Sequence, residues 1–179
     1  MRNVFLIGYM GVGKTTIGKQ LSAELGMEFI DLDIYIENRY RKSIQQLFDI
    51  KGESGFRKIE SEMLQEVSTF QNVLISTGGG TPCFFDNMNV MNRAGITVYV
   101  KASVEQLVSR LIASKNVRPL IKNKTPKELK EFITHHLTER NEYYSQAKVI
   151  YENEHLISLE HLSESVDAIK ELLQVHLRN

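Results

Sequence analysis

Residues 8–16 read GYMGVGKTT, and this stretch matches the pattern G-x-x-x-x-G-K-[ST] position for position through Gly8, Gly13, Lys14 and Thr15. Its glycines permit backbone conformations with positive φ and bring main-chain N–H groups close to phosphate oxygens. Lys14 can reach the β- and γ-phosphates of a nucleotide, and the Thr15 hydroxyl can ligate Mg²⁺. The pattern predicts a nucleotide site, provided that a strand precedes it and a helix follows it.

The flanking residues supply that context. VFLI (residues 4–7) is a short apolar run typical of a buried strand. Residues 16–25 then carry Ile17, Leu21 and Leu25 at helical spacing, up to Gly26. Strand, glycine loop and helix therefore occur in the required order, which favours a phosphate-binding loop over an incidental glycine turn.

The rest of the chain continues this alternation. Further strand-like runs occupy residues 28–31, 73–76, 96–100 and 148–151. Helical patterns fill the intervals, which predicts βα units around a mostly parallel sheet. Capping boxes at Ser103–Gln106 and Thr125–Glu128 mark two helix starts. A final helix is expected to dock on the sheet through one apolar stripe: Leu159, Leu162, Val166, Ile169 and Leu172/Leu173.

Length and composition limit the class of protein. A chain of 179 residues with zero net charge is expected to form one compact α/β domain over residues 1–179, with no nucleic-acid partner. Cys83 is the single cysteine, which favours a reducing, cytoplasmic setting. The sequence has no signal-peptide pattern and no apolar run of about 20 residues, so we expect no membrane partner.

Two carboxylates follow the second strand-like run, where an open parallel sheet binds its ligands. The third run ends at Thr77 without an aspartate, so Asp31 is the better candidate for a Mg²⁺ ligand. Asp33 is then expected to accept a hydrogen bond from a substrate hydroxyl and to orient or deprotonate it. The alternative is that Asp33 only caps a helix over residues 34–40.

After the third strand come Gly78, Gly79 and Gly80, which suggest close backbone approach to a ligand rather than a plain turn. Arg57 and Glu60 form by default an exposed i,i+3 pair of little consequence. Arg140, late in a helix, is by default solvated. If both arginines face one cleft, however, they make a clamp for a carboxylate, because guanidinium binds carboxylate bidentately.

Residues 114–124 (SKNVRPLIKNK) are basic and lie between two well-signalled helices. Such a connector is often a solvated loop. Beside a phosphate-binding loop we favour a lid that brings Arg118 over the phosphates and excludes water.

Several other side chains are expected to have structural rather than functional roles. His135 and His136 have no carboxylate or cysteine at metal-ligand spacing, so a metal site is not expected. Cys83 is interpreted as a partly buried thiol. Four phenylalanines are expected in the core: Phe48, Phe56, Phe84 and Phe85. Phe48 and Phe56 flank Arg57 in the sequence and could instead wall a substrate pocket.

Six motifs of this sequence together resemble one family, the shikimate kinases, in order and spacing across residues 4–147. They are GYMGVGKTT (8–16), DLD (31–33), GESGFRKIE (52–60), STGGGTP (76–82), RPL (118–120) and RNEYYSQA (140–147). The resemblance implies a three-layer α/β/α P-loop kinase with a five-stranded parallel sheet, similar in fold to nucleoside monophosphate kinases. It also implies a helical substrate-binding region at about 32–62 and a lid at about 112–124.

The family transfers the γ-phosphoryl group of ATP to the 3-hydroxyl of shikimate, a step of aromatic amino acid biosynthesis. Carried over to this chain, residues 11–16 cradle ATP, that is Gly11, Val12, Gly13, Lys14, Thr15 and Thr16. Mg²⁺ is expected at Thr15, with Asp31 nearby. Lys14 and Arg118 would stabilise charge on the transferring group, and Arg118 would also bind ATP.

On the acceptor side the resemblance implies that Asp33 holds the shikimate hydroxyls, helped by the backbone at Gly79. Arg57 and Arg140 would clamp the carboxylate, and Glu60 would position Arg57. The implied catalytic residues are Lys14, Asp33 and Arg118. We expect the protein to act as a monomer on shikimate and ATP.

One region departs from the family pattern. After Ala147 the family often presents an arginine to adenine, whereas this chain reads KVIYENEHLIS and has no arginine from 141 to 177.

A phosphate-binding loop is also compatible with two functions other than shikimate phosphorylation. One is a small kinase acting on gluconate or a nucleoside monophosphate, and the other is a non-catalytic module that binds ATP as a signal.

Overall fold

The computed structural model describes residues 2–114, 124–153 and 159–177. Within those ranges the strands are β1 (Asn3–Ile7), β2 (Glu28–Asp31), β3 (Val73–Ser76), β4 (Gly95–Lys101) and β5 (Val149–Glu152). The helices are α1 (Lys14–Leu25), α2 (Leu32–Tyr40), α3 (Ile44–Ser68), α4 (Asn87–Ala94), α5 (Val104–Ala113), α6 (Pro126–Tyr144) and α7 (Leu159–Leu177), with a 3₁₀ turn at Thr81–Cys83.

All paired strands run parallel, in the order β2-β3-β1-β4-β5. β1 lies in the centre, and all five of its residues are buried. A strand that is covered on both faces must be apolar throughout, which is why VFLI shows no alternation of apolar and polar residues. The predicted strands are therefore confirmed, and their ends differ from the prediction by one residue at most.

Helices cover both faces of the sheet, as expected for a three-layer α/β/α fold. Val4 and Leu6 point into a core formed with α1, α5 and α7 together with the start of α6. Phe5 and Ile7 point into a second core formed with α2, α3 and α4. Successive residues of a strand face opposite sides, so β1 contributes to both cores in turn.

The helix starts and the last helix largely follow the prediction. Both expected capping boxes are present, at Ser103 and Thr125, each closed by the side chain three residues later. In α7 the stripe is buried at four positions: Leu162, Val166, Ile169 and Leu173. Leu172 is 41% exposed, so its assignment to the core is wrong, and the side chain of Leu159 lies outside the described set. No helix in the described part of the chain has an apolar stretch long enough to cross a membrane.

Candidate active site

A cleft of about 230 Å³ opens at the carboxyl ends of β1, β2 and β3. Ligands of open parallel sheets bind at this edge. The lining residues come from the phosphate loop and the two neighbouring strand ends: Met10, Gly11, Gly13, Lys14, Thr15, Thr16, Asp31, Asp33, Ser76, Thr77, Gly78 and Gly79. The cleft therefore joins the nucleotide motif to both segments expected to contact an acceptor.

The phosphate loop depends on glycines for its shape. Gly13 precedes α1 with φ 98°, and no described side chain caps this helix start. The first N–H groups of α1 thus lack a side-chain acceptor, which is the arrangement that binds phosphate at a helix N-terminus. Gly8 has φ 139°, and a Cβ built there would lie 2.4 Å from the Val100 carbonyl oxygen. Any side chain at Gly8 would separate the loop from β4.

Lys14 is buried, with 8% of its surface exposed. Its Nζ donates hydrogen bonds to the carbonyl oxygens of Gly8 at 2.8 Å and Tyr9 at 3.0 Å. A buried ammonium requires such acceptors, because it has lost its hydration. The charge of Lys14 is consequently held against the loop that is expected to wrap the phosphates.

Asp31 joins the phosphate loop to α2. Its Oδ2 accepts a hydrogen bond from the Thr15 hydroxyl at 2.8 Å, and its Oδ1 accepts from the backbone N–H of Asp33 at 3.1 Å. Asp31 is therefore the residue that caps α2, which begins at Leu32. The alternative in which Asp33 caps this helix is wrong. Asp33 instead lies in the first turn of α2 and lines the cleft.

Two oxygen-bearing side chains at the edge of the cleft are suitable ligands for a magnesium ion. Thr15 and Asp31 offer a hydroxyl and a carboxylate, already 2.8 Å apart, at the edge of the cleft. Mg²⁺ prefers hard oxygen ligands and takes few of them from the protein, since it retains several waters.

Arg57 and Glu60 form a buried pair, so the default interpretation of an exposed surface pair is wrong. Arg57 Nη1 lies 2.9 Å from Glu60 Oε2, and the Glu60 side chain is only 1% exposed. Glu60 Oε1 accepts a second hydrogen bond, at 2.6 Å, from the Thr81 hydroxyl. The pair is buried because this face of α3 packs against the turn that follows β3, which the spacing in α3 alone cannot reveal.

Aromatic rings surround the Arg57 guanidinium. Its Cζ lies 4.3 Å from the Phe84 ring centroid, 5.4 Å from Phe56 and 5.7 Å from Phe48. Phe48 and Phe56 stack on each other and belong to the second core, as expected, and their role as the wall of a substrate pocket stays a prediction. Arg57 Nε is buried and has no hydrogen-bond partner among the described residues. Phe85 is 67% exposed, and its expected place in the core is wrong.

The Arg140 side chain extends from α6 to the turn after β3, which Arg57 also approaches. A Cβ built at Gly79 would lie 3.6 Å from Arg140 Nη1, and one built at Gly80 would lie 2.7 Å from Arg57 Nη2. The two guanidinium groups thus meet at adjacent residues of the glycine turn, although 83 residues separate them in the chain (140 − 57). Neither arginine is among the residues that line the cleft of about 230 Å³, so a clamp at this turn stays a prediction.

The glycine turn, Gly78–Gly80, has too little space for side chains, whereas its backbone angles do not require glycine. Gly78, Gly79 and Gly80 do not occur among the residues with positive φ. A Cβ at Gly78 would lie 3.0 Å from Glu60 Oε1 and 3.2 Å from Asp33 Oδ1. The turn is therefore crowded by the protein's own side chains, and its close approach to a ligand stays a prediction.

Cys83 lies beside this cluster, and burial raises the pKa of its thiol to about 11, against the opposing effect of Arg140 and Arg57. A thiol with this pKa is almost entirely protonated at pH 8, and only the thiolate is nucleophilic. We expect iodoacetamide to modify the native protein at pH 8 about a hundredfold more slowly than a free cysteine. Mass spectrometry over time measures this rate directly, since Cys83 is the single cysteine. Labelling of the native protein as fast as of the urea-unfolded protein would contradict the prediction.

Several residues of the site were not anticipated from the sequence. Tyr9 is 1% exposed, and the Arg140 Cζ lies 5.3 Å from its ring centroid. Tyr144 donates a hydrogen bond to the Gly79 carbonyl oxygen at 2.5 Å. One signal for Tyr144 was available: it follows Arg140 by four residues, so both lie on one face of α6. No comparable sequence signal exists for Tyr9, because the phosphate-binding pattern allows any residue at position 9.

The far side of the phosphate loop contacts α5 and the residue that follows β5. The Val12 carbonyl oxygen accepts hydrogen bonds from Arg110 Nη1 at 3.1 Å and from Asn153 Nδ2 at 3.4 Å. Arg110 therefore provides a cation beside the loop from α5, a residue that sequence reasoning missed. Arg118 and most of the expected lid, residues 115–123, lie outside the described residues.

The phosphate loop after the central parallel strand, together with a cleft lined by Asp33 of α2 and by Gly78 and Gly79, defines a P-loop kinase of small molecules. The sequence model described as shikimate kinase matches residues 10–173. The chain belongs to the shikimate kinase family.

Individual relatives agree with this assignment. A shikimate kinase of Parabacteroides distasonis is 49% identical over 173 residues, covering 97% of this chain and 100% of the relative. A crystal structure of shikimate kinase from Bacteroides thetaiotaomicron superposes with a TM-score of 0.93 at 46% identity, covering 97% and 98% of the two chains. A shikimate kinase from Acinetobacter baumannii in complex with shikimate gives a TM-score of 0.83 at 32% identity, covering 100% and 94%.

Proposed function

We propose that this protein transfers the γ-phosphoryl group of ATP to the 3-hydroxyl of shikimate, giving shikimate 3-phosphate and ADP. The observation that carries the proposal is the meeting of Arg57 and Arg140 at Gly79 and Gly80, beside the cleft lined by Asp33 and the phosphate loop. An acceptor with one carboxylate and several hydroxyls matches two guanidinium groups, one carboxylate and backbone groups in such a cleft.

In this proposal Arg57 and Arg140 bind the shikimate carboxylate. Glu60 holds Nη1 of Arg57 at 2.9 Å, and the exposed Glu53 lies 3.6 Å from Nη2, so the guanidinium is oriented before the substrate arrives. A charged group that is already oriented loses little rotamer freedom when the substrate arrives. Asp33 and the backbone of Gly79 are proposed to bind the hydroxyls.

On the nucleotide side, residues 11–16 are proposed to cradle the phosphates on the N-terminus of α1. Thr15 and Asp31 would hold Mg²⁺, which neutralises charge on the phosphate oxygens when bound. Lys14 is proposed to exchange part of its contact with the loop carbonyls for contact with the transferring group. Arg118 is proposed, on the family pattern alone, to supply a second cation there.

The transfer forms a bond between the 3-hydroxyl oxygen and the γ-phosphorus and breaks the bond from that phosphorus to the β,γ-bridging oxygen. ADP leaves with the electron pair of the broken bond, and the hydroxyl proton passes from the acceptor oxygen to the Asp33 carboxylate, which releases it to water. Asp33 is proposed to accept a hydrogen bond from this hydroxyl and to orient it for in-line attack. Catalysis then consists mainly of positioning and of stabilising charge.

The adenine ring is proposed to occupy a second cleft, of about 300 Å³, at the carboxyl ends of β4 and β5. Its lining includes Ser103, Gln106 and Asn153. Asn153 and Arg110 both contact Val12, which supports continuity between this cleft and the phosphate loop. Polar side chains in this cleft would compensate for the lack of an arginine between residues 141 and 177.

Substrate choice is tested by ADP release from Mg·ATP with shikimate, gluconate, AMP or CMP as acceptor. We expect shikimate alone to stimulate release, by at least a hundredfold over hydrolysis by water. AMP and CMP have no carboxylate for the two arginines, and gluconate, which has one, is a flexible open chain rather than a ring of fixed shape. A matched series without Mg²⁺ is expected to lose this stimulation. Stimulation by gluconate or a nucleotide instead would favour another small-molecule kinase, and no stimulation by any acceptor would favour a binding module.

We further propose that the chain forms a single domain over residues 1–179 with a lid at about 112–124, and that it acts as a monomer in the cytoplasm.

A further inference from the structure

One face of α6 contacts the proposed active site through its C-terminal half. Phe132, His136, Arg140 and Tyr144 follow one another at intervals of four residues, which places them on the same side of the helix. Tyr144 binds the glycine turn, and Arg140 lies over the Tyr9 ring. His136, which stands between Phe132 and Arg140, has no role in the proposed function so far.

His136 contacts the phosphate loop through Tyr9. A hydrogen bond of 3.2 Å joins the Tyr9 hydroxyl and His136 Nδ1. Tyr9 is 1% exposed, and its carbonyl oxygen accepts a hydrogen bond from Lys14. One residue of the loop therefore touches the proposed catalytic lysine through its backbone, the clamp arginine through its ring and His136 through its hydroxyl.

The imidazole is itself fixed on α6. Its ring centroid lies 4.1 Å from that of Phe132. The charged groups that act on it are Arg140, Glu139 and His135 from α6 and Glu53 from α3, and burial together with Arg140 lowers the pKa of His136. At neutral pH the ring is therefore mostly uncharged, as suits a hydrogen bond with a phenol beside an arginine.

We propose that His136 is a positioning residue for the kinase reaction. Through the Tyr9 hydroxyl it fixes the ring on which Arg140 rests, and so it sets the position of the carboxylate clamp relative to the phosphate loop. Without this bond the Tyr9 ring can tilt, and Arg140 loses a fixed support 5.3 Å away. The inference rests on the proposed function, because it assumes that Arg140 binds the shikimate carboxylate.

A double-mutant cycle with Tyr9→Phe and His136→Ala tests the inference. Tyr9→Phe removes one oxygen and keeps the ring under Arg140. Each single variant is expected to raise the KM for shikimate about fivefold, the effect of one lost hydrogen bond, and to change the KM for ATP less than twofold. The double variant is expected to be no worse than the more severe single variant, since both changes break the same bond.

Two further variants separate positioning from a general effect on folding. His136→Asn keeps a polar atom near the place of Nδ1, and we expect it to bring the KM for shikimate back to within twofold of the wild type. His135→Ala changes the adjacent histidine, whose side chain is 72% exposed, and serves as the matched control with wild-type kinetics. All variants are compared well below their midpoints of thermal unfolding.

A KM for shikimate within twofold of the wild type in Tyr9→Phe would overturn the inference, even if His136→Ala fails to fold. Effects that multiply in the double variant would overturn it as well, because they would mean that the two residues act separately. A wild-type protein that does not turn over shikimate would overturn the proposed function and this inference together. That result is distinguishable from an active enzyme that is indifferent to His136.

Discussion

Lys14→Ala is expected to lower kcat about a thousandfold and to change the KM for shikimate only a few-fold. The Lys14 ammonium is buried and bound to the carbonyl oxygens of Gly8 and Tyr9, so it is oriented before any nucleotide binds. A charge that is fixed in advance stabilises the developing charge of the transition state without reorganisation. Since Lys14 contacts the loop rather than the arginine cluster, shikimate binding should be largely preserved.

Steady-state kinetics with both substrates varied measure this effect. Lys19→Ala is the matched control, because Lys19 lies on the same helix with an exposed side chain. A kcat for Lys14→Ala within tenfold of the wild type would contradict the assignment of Lys14. A comparable loss in the control would instead indicate a general effect of charge on α1.

Arg57→Ala is expected to have two separable effects. The first is a rise of about a hundredfold in the KM for shikimate with little change in the KM for ATP, because a charge-assisted contact to the carboxylate is lost. The second is a loss of about 3 kcal/mol in the free energy of unfolding, because the buried Glu60 carboxylate is left without its cation. For a chain of this size that loss lowers the midpoint of thermal unfolding by roughly 6–12 °C.

Arg57→Ala combined with Glu60→Gln separates the two effects. A neutral amide can still accept the hydrogen bond from Thr81, so we expect most of the thermal stability to return while the KM for shikimate stays high. Lys58→Ala, at the adjacent and exposed position, is the matched control. An Arg57→Ala enzyme with normal shikimate affinity would contradict the clamp, whatever its stability.

Features that depend on neighbouring residues could be predicted from the sequence. VFLI, GYMGVGKTT and the helical residues after them define the strand, loop and helix, since buried strands and phosphate loops have strong local signatures. The capping boxes at Ser103 and Thr125 are local for the same reason. The resemblance added the family, which the comparisons confirm.

Features that depend on packing between distant elements could not be predicted from residue spacing. Arg57 and Glu60 looked like a surface pair because an i,i+3 spacing does not indicate which face of a helix is buried. Asp31 caps α2, although Asp33 was an equally plausible cap by residue type. Phe84 lies against Arg57 and Phe85 is exposed, a difference between adjacent residues of one kind that only their surroundings explain.

By itself, the sequence determined that a nucleotide-binding loop follows the central strand of a parallel α/β sheet, because backbone conformation and strand burial there depend on residues next to one another. Only the tertiary structure decided that Arg57 and Arg140 share one turn with Gly79 and Gly80, and that Tyr9 links the phosphate loop to α6. Those contacts join residues far apart in the chain, and their geometry depends on how the helices pack on the sheet.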